Sequence, residues 1–215
     1  MKTLPAQKLH VGVKSGVSRP AVVVFILDKR IKTSKENRKP SPFFGLLGHC
    51  QINRFVAVKT EIFFEERSRY SGSQFAIDSN GMTVDGGRIQ LYYSFITTPL
   101  LIEMGFGRRF RFYGNVGINP AWRIGGRYIM DDPSINPNLW YLPMIKEPKL
   151  DFGFAYSGGV SYTHKRLLFQ LEYRYFRSTS PVGRIHFEKI THHFGEMLSL
   201  NVGYQLWKRK KAVVD

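Results

Sequence analysis

Seven charged residues that alternate with apolar neighbours are the first candidates for chemistry in this sequence. Acids and bases that share one narrow space could form a proton or ion path, or they could form salt bridges. Charges removed from water must pair, and we therefore expect a structural plug, in which Glu61 or Glu172 pairs with one of the arginines; a narrow channel is the alternative. The seven residues are Lys59, Glu61, Glu103, Arg111, Arg123, Glu172 and Arg174.

A second group of candidates lies near the C-terminal end, where His186, His192 and His193 accompany Glu188. These side chains could bind a metal or act as the acid and base of a lipid-modifying enzyme. Adjacent histidines in an extended chain point apart, and no spacing here defines a serine triad. We therefore expect a polar loop with no metal, no cofactor and no catalytic residue, and keep the lipid-modifying enzyme as the alternative.

A basic segment, residues 17–41, could bind anions. It contains only two acids, Asp28 and Glu36. The formal net charge of +16 first suggests nucleic acid, but the positive charge is spread over several segments and no nucleic-acid-binding motif is present. We expect contact with lipopolysaccharide phosphates or another anionic surface polymer through the segment's cations, namely Arg19, Lys29, Arg30, Lys32, Lys35, Arg38 and Lys39.

The elements that must position these residues are β-strands. Apolar and polar residues alternate with period two along most of the chain, which is typical of strands, and eight such segments can be distinguished. A change of phase near residues 97–99, at Pro99, predicts a bulge. The last segment is the clearest; its apolar face is formed by Leu198, Leu200, Val202, Tyr204 and Leu206.

The connections between these segments alternate in length. Long connections are predicted at residues 17–41, 66–87, 129–150 and 178–194, and short ones at 51–54, 107–109 and 163–165. In an up-and-down barrel this alternation places all long loops at one rim and all tight turns at the other. A β-sandwich gives no reason for such regularity.

The composition of the two faces predicts where the lipid lies. One face is rich in Gly, Ser, Ala and Asn with a few charges, and the other in Leu, Phe, Tyr and Trp. Small polar residues suit the narrow interior of eight strands, and large apolar residues suit lipid, whereas a soluble ligand-binding barrel would show the reverse. The predicted fold is all-β, an eight-stranded antiparallel up-and-down transmembrane β-barrel with short periplasmic turns and long extracellular loops.

Four segments of the chain carry a resemblance to a known family: KLHVGVKSGV at 8–17, VKTEIFFEERSRYSG at 58–72, TTPLLIEMGFG at 97–107 and FYGNVGINPAWRIGG at 112–126. Together they resemble the PorT-like outer-membrane β-barrel domain of Bacteroidetes. The resemblance covers about residues 8–207 and implies an outer-membrane location. It also implies periplasmic termini and, in some relatives, a role in protein secretion.

These features together predict the organisation and role of the chain. Residues 1–7 are interpreted as a leader remnant, 8–207 as the barrel and 208–215 as a basic tail. We expect a non-enzymatic barrel with a plugged lumen that supports envelope assembly, secretion or surface binding. Its expected partners are outer-membrane lipid, possible lipopolysaccharide and envelope or secretion proteins.

Overall fold

The computed structural model describes residues 8–26, 40–71, 75–77, 83–85, 89–130, 149–179 and 188–208. The regular structure of these residues is β throughout, and none of them belongs to a helix long and apolar enough to cross a membrane. The strands are β1 (Lys8–Ile26), β2 (Ser41–Gln51), β3 (Val56–Ser71), β4 (Phe75–Ile77), β5 (Thr83–Asp85), β6 (Ile89–Thr97), β7 (Leu100–Gly107), β8 (Phe110–Ile118), β9 (Ala121–Met130), β10 (Leu150–Asp151), β11 (Gly153–His164), β12 (Leu167–Ser178) and β13 (Glu188–Lys208).

The strands close into one antiparallel ring. β1 pairs with both β2 and β13, so the first and last strands are neighbours. β6 and β7 are two parts of one wall strand, since both pair with β3. In the same way, β8 and β9 are two parts of one wall strand, and β10 and β11 are two parts of another. The ring therefore has eight walls, as the sequence predicts. β4 and β5 form a separate two-stranded hairpin.

Several strands extend further than the sequence pattern predicts. β1 continues to Ile26, β3 continues to Ser71, and β13 begins at Glu188. The predicted long loops at 17–41, 66–87 and 178–194 therefore include residues that belong to strands. The physical reason is that β1 and β13 pair with each other as far as Ile26 and Glu188, so ladder hydrogen bonds hold a segment whose alternation is weak.

The predicted bulge at 97–99 is wrong. Phe63 pairs with Thr97 and Thr60 with Leu100, which leaves no extra residue on either strand. Pro99 cannot donate a ladder hydrogen bond, but its carbonyl accepts one from Glu61 N at 3.2 Å. The interior side chains stay in phase across the break. A register shift does occur nearby, between Ser94 and Phe95 opposite β9.

The two faces have the polarity that the sequence predicts. Leu200 on β13 is 54% exposed, whereas Glu172 on β12 is 0% exposed. Outward positions carry large apolar side chains, and inward positions carry glycine, small polar residues and charges together with some large apolar side chains such as Phe43, Phe63 and Phe176. In hydrocarbon every backbone polar group must bond internally, which a closed ring of strands achieves. The outer surface therefore faces lipid.

The short turns meet at one rim, together with the beginning of β1 and the end of β13. The first, at residues 52–55, is fixed by Asn53, whose side-chain oxygen accepts hydrogen bonds from Phe55 N at 2.7 Å and Val56 N at 2.8 Å. Gly107 introduces the second with φ 119°, a conformation that side chains disfavour, and Lys165 in the third has φ 53°. These tight turns hold the interior side chains in register.

Candidate functional site in the barrel interior

Period-two alternation along β3 supplies much of the interior charge. Lys59, Glu61, Glu65 and Arg67 are buried on the same face as Phe63, while the even-numbered residues between them face outward. Because side chains of a strand alternate between its faces, one strand delivers two cations and two anions to the same axis. Strands β1, β10 and β12 contribute their charged partners.

Five of the interior charges form a central cluster, Lys14, Lys59, Glu61, Glu172 and Arg174. Arg174 binds Glu61 with both terminal nitrogens, Nη1 to Oε2 at 2.8 Å and Nη2 to Oε1 at 2.7 Å. Its Nε donates to Glu172 Oε1 at 2.8 Å. This two-point guanidinium–carboxylate geometry is among the strongest of charged contacts.

The two lysines complete the central cluster. Lys14 Nζ lies 3.0 Å from Glu61 Oε2 and 3.6 Å from Glu172 Oε1. Lys59 Nζ lies 3.1 Å from Glu61 Oε1 and donates a short hydrogen bond to Glu172. Each carboxylate therefore contacts all three cations, and all five side chains are fully or almost fully buried. The barrel is closed at this level by salt bridges.

A second cluster lies on the side of the short turns and is centred on Glu103. Arg111 donates from Nη1 to Glu103 Oε1 at 2.5 Å and from Nη2 to the carbonyl oxygen of Phe55 at 2.7 Å. Nε2 of His49 lies 3.2 Å from the same carboxylate, and Gln170 donates to its other oxygen at 3.4 Å. This turn-side cluster ties the interior to the turn at 52–55.

A third cluster lies towards the long connections, because Asp151 follows one of them and Ser178 precedes another. Arg67 donates to Glu65 Oε1 from Nη2 at 2.6 Å and to Asp151 Oδ2 from Nη1 at 2.5 Å. Thr97 donates to Glu65 at 2.7 Å, and Ser178 donates a short hydrogen bond to Asp151. This loop-side cluster spans the barrel from β3 to β12.

Aromatic rings fill the space around the cations. The Arg67 guanidinium lies 4.5 Å from the ring centre of Phe95 and 4.7 Å from that of Phe176. Lys14 Nζ lies 5.8 Å from the Phe43 ring and 5.7 Å from the Phe63 ring. Rings in these positions attract cations and exclude water. The interior is a packed core of rings and ion pairs.

The charges of this core cancel. Among the described residues, the buried Asp, Glu, Lys and Arg side chains are five cations and five anions. The formal net charge of +16 therefore belongs to the rest of the chain. The cations are Lys14, Lys59, Arg67, Arg111 and Arg174, and the anions are Glu61, Glu65, Glu103, Asp151 and Glu172.

The structure brings together six of the seven charges that alternation places inside. Arg123 is the exception, since it is half-buried and its guanidinium lies 5.7 Å from the Tyr93 ring. Sequence reasoning missed Lys14, Glu65, Arg67 and Asp151 as members of the network. Lys14 lies on the same strand face as Gly12 and Gly16. Glu65 and Arg67 continue the every-second-residue pattern of Lys59 and Glu61. The alternation could therefore have identified Lys14, Glu65 and Arg67.

The other predicted site residues stand apart from the interior. Arg19 lies on β1 and is exposed; the remaining cations of the basic segment, Lys29, Arg30, Lys32, Lys35, Arg38 and Lys39, lie outside the described residues. His186 also lies outside them. Glu188, His192 and His193 belong to β13 and not to a loop, and only their backbone is described. No three metal-binding side chains come together within the described part of the chain.

Comparison with known proteins finds likeness of structure only. No protein-family model matches the chain. Nor does any curated protein match it in sequence. The chain is similar to the outer membrane protein OprG from Pseudomonas aeruginosa, with 12% identity, 95% of this chain and 97% of that chain covered, and a TM-score of 0.48.

Two further solved structures show a similar degree of likeness. Ail, the attachment invasion locus protein of Yersinia pestis, has 9% identity over 93% of this chain and 99% of that chain, with a TM-score of 0.43. Neisserial surface protein A has 13% identity over 92% and 97%, with the same TM-score. Because these values are low, the fold rests on the strand pairing described above. By that pairing and by its apolar exterior, the chain is an eight-stranded β-barrel of the outer-membrane type.

Proposed function

We propose that this protein is a plugged, non-enzymatic outer-membrane barrel that holds its long connections at the cell surface. The observation that carries the proposal is the interior, in which five cations and five anions of the described residues are buried and paired. A continuous aqueous path would need water beside these charges, whereas eight strands leave only enough space for side chains. The short-turn rim then faces the periplasm, as in other barrels of this type.

Conductance across a planar bilayer tests the plug. We expect the reconstituted full-length chain to show no steady channel openings, because ion pairs and rings fill the lumen at three levels. Heat-modifiable migration on a gel provides the control that the inserted protein is folded. Steady openings whose ion selectivity changes in Glu172→Gln would support the narrow channel and contradict the plug.

We further propose that the basic segment contacts anionic groups of the outer leaflet, such as lipopolysaccharide phosphates. The support is its composition, with seven cations against two acids between residues 17 and 41. Arg19, on the exposed face of β1, lies at the beginning of this segment. Cations near a membrane surface each add to the attraction for anionic head groups.

Lipopolysaccharide binding tests this contact. We expect a variant with Lys29, Arg30, Lys32, Lys35, Arg38 and Lys39 changed to Gln to bind lipopolysaccharide at least about tenfold more weakly than wild type, since about 1 kcal/mol is lost per cation near an anionic surface. The difference in affinity between the two proteins should become smaller at high salt. Equal binding by the two proteins would rule out the contact.

The finer assignment that we propose is membership of the PorT-like barrels, with a role in envelope assembly or secretion. Its support is the set of four quoted segments, which lie on β1, β3, β7 and β8–β9 of the barrel wall. Deletion of the gene in its own host provides the test. A secretion or envelope defect that the wild-type gene restores is expected, and unchanged secretion together with an intact envelope would exclude this role.

A further inference from the structure

The short-turn rim has an unusual charge. We define it as residues 8–10, 50–56, 106–110, 162–168 and 204–207. It contains six Lys and Arg residues and no Asp or Glu. Exposed cations normally have acids interspersed among them, so this one-signed rim is suited to binding an anion.

Five of the six cations line one cleft at this rim. The cleft has a volume of about 400 Å³ and is lined by Lys8, Arg54, Arg108, Arg109 and Lys165. Neutral hydrogen-bonding groups, Gln51 and Thr163, lie among them. The five cations belong to three different turns and to the first strand, which occupy different sides of the ring. The cleft therefore opens across the mouth of the barrel and not onto its lipid-facing wall.

The turn at 52–55 positions one of these cations, Arg54, before any ligand binds. The Arg54 guanidinium lies 4.3 Å from the Phe55 ring centre, next to the hydrogen bonds that Asn53 makes within its turn. Arg166, the sixth cation, is directed elsewhere, since its Nη1 donates to the Tyr204 hydroxyl at 3.1 Å. A side chain that is already positioned, as Arg54 is, loses less conformational entropy on binding.

The arrangement selects a ligand with several separated anionic groups. Guanidinium groups bind carboxylates with matched two-point geometry. Five cations around one cleft favour a ligand with more negative charge than one carboxylate carries, and an extended peptide presents carboxylates on one face at every second residue, roughly 6.6 Å apart. A lipid head group would lie beside the outer wall. We propose that the short-turn rim binds an extended, Asp- and Glu-rich segment of another protein.

Peptide binding to the full-length chain in neutral nanodiscs tests the proposal. We expect a short synthetic peptide of alternating Glu and Ser to bind saturably and more weakly as salt is added. Changing Arg54, Arg108 and Arg109 together to Gln should weaken binding at least about tenfold, because three charge-assisted contacts are lost. The matched control changes Arg19, Lys149 and Arg177, three exposed cations outside the short-turn rim, to Gln with the same loss of charge.

The control variant should retain wild-type affinity. Absence of peptide binding, or equal weakening in the two triple variants, would overturn the proposal. Inorganic triphosphate is the second probe, and tighter binding of triphosphate than of peptide at the same residues would assign the rim to phosphate instead. Nanodiscs leave both rims accessible, so the result does not depend on which rim faces the periplasm. The conductance test of the plug and the peptide-binding test of the rim can therefore give independent outcomes.

Discussion

At the level of single residues, Arg174 shows how charge is tolerated inside this barrel. Its guanidinium is 1% exposed and contacts both Glu61 and Glu172. Removing one partner of a buried ion pair is costly because the remaining charge stays desolvated. The stability of the interior therefore depends on each of its charges having a partner.

Glu61→Gln tests this dependence. We expect it to lower the free energy of unfolding by about 3–5 kcal/mol, because three cations would then share one carboxylate. Unfolding by urea in lipid micelles, followed by gel mobility, provides the measurement. The matched control is Glu66→Gln on the outward face of the same strand, where a loss below about 1 kcal/mol is expected.

A second variant separates charge from packing. Adding Lys14→Met to Glu61→Gln restores the original net charge of the central cluster, so part of the lost free energy of unfolding should return. If the double variant is as unstable as Glu61→Gln plus the separate cost of Lys14→Met, the effect is not electrostatic.

At the level of elements, each wall strand separates a lipid face from an interior face. On β13, Leu198, Leu200 and Leu206 are exposed, and Ser199 and Asn201 are buried. The outward row runs from the apolar middle of the wall to Trp207 at the short-turn rim. Burying a charge in this row is expected to be most costly near the middle of the bilayer.

Leu200→Arg tests this depth dependence. We expect it to lower the free energy of unfolding in lipid vesicles by about 2–4 kcal/mol, since the charge would lie in hydrocarbon. Leu206→Arg, placed near the rim on the same face, is the matched control and should cost at most about 1 kcal/mol. Similar losses for the two variants would contradict a lipid-facing wall.

The same elements show how far the sequence could predict this structure. Alternation predicted the eight walls and the inward direction of Glu172 and Arg174, since parity along a strand is a local property. It did not predict where β1 and β13 end, because pairing between distant segments holds those ends. Asp151 was missed for a related reason. It lies on a two-residue strand, β10, which is too short to show a period.

At the level of the whole molecule, charge is separated by region. The interior charges of the described residues cancel, whereas the short-turn rim is positive throughout. The basic segment at 17–41 adds a second positive region, which the proposed orientation places on the other side of the membrane. The apolar wall lies between. Any anionic partner is thus expected at the ends of the barrel.

The connectivity of the central cluster has a consequence for biogenesis. Lys14 comes from the first wall, Glu61 from the third and Arg174 from the seventh, and the Lys59–Glu172 contact joins residues 113 positions apart. An unrolled sheet would keep the pairs within one strand, Lys59–Glu61 and Glu172–Arg174, but would lose the contacts between β3 and β12 that complete the cluster. Insertion of the sheet into the membrane and its closure into a ring are therefore expected to proceed together.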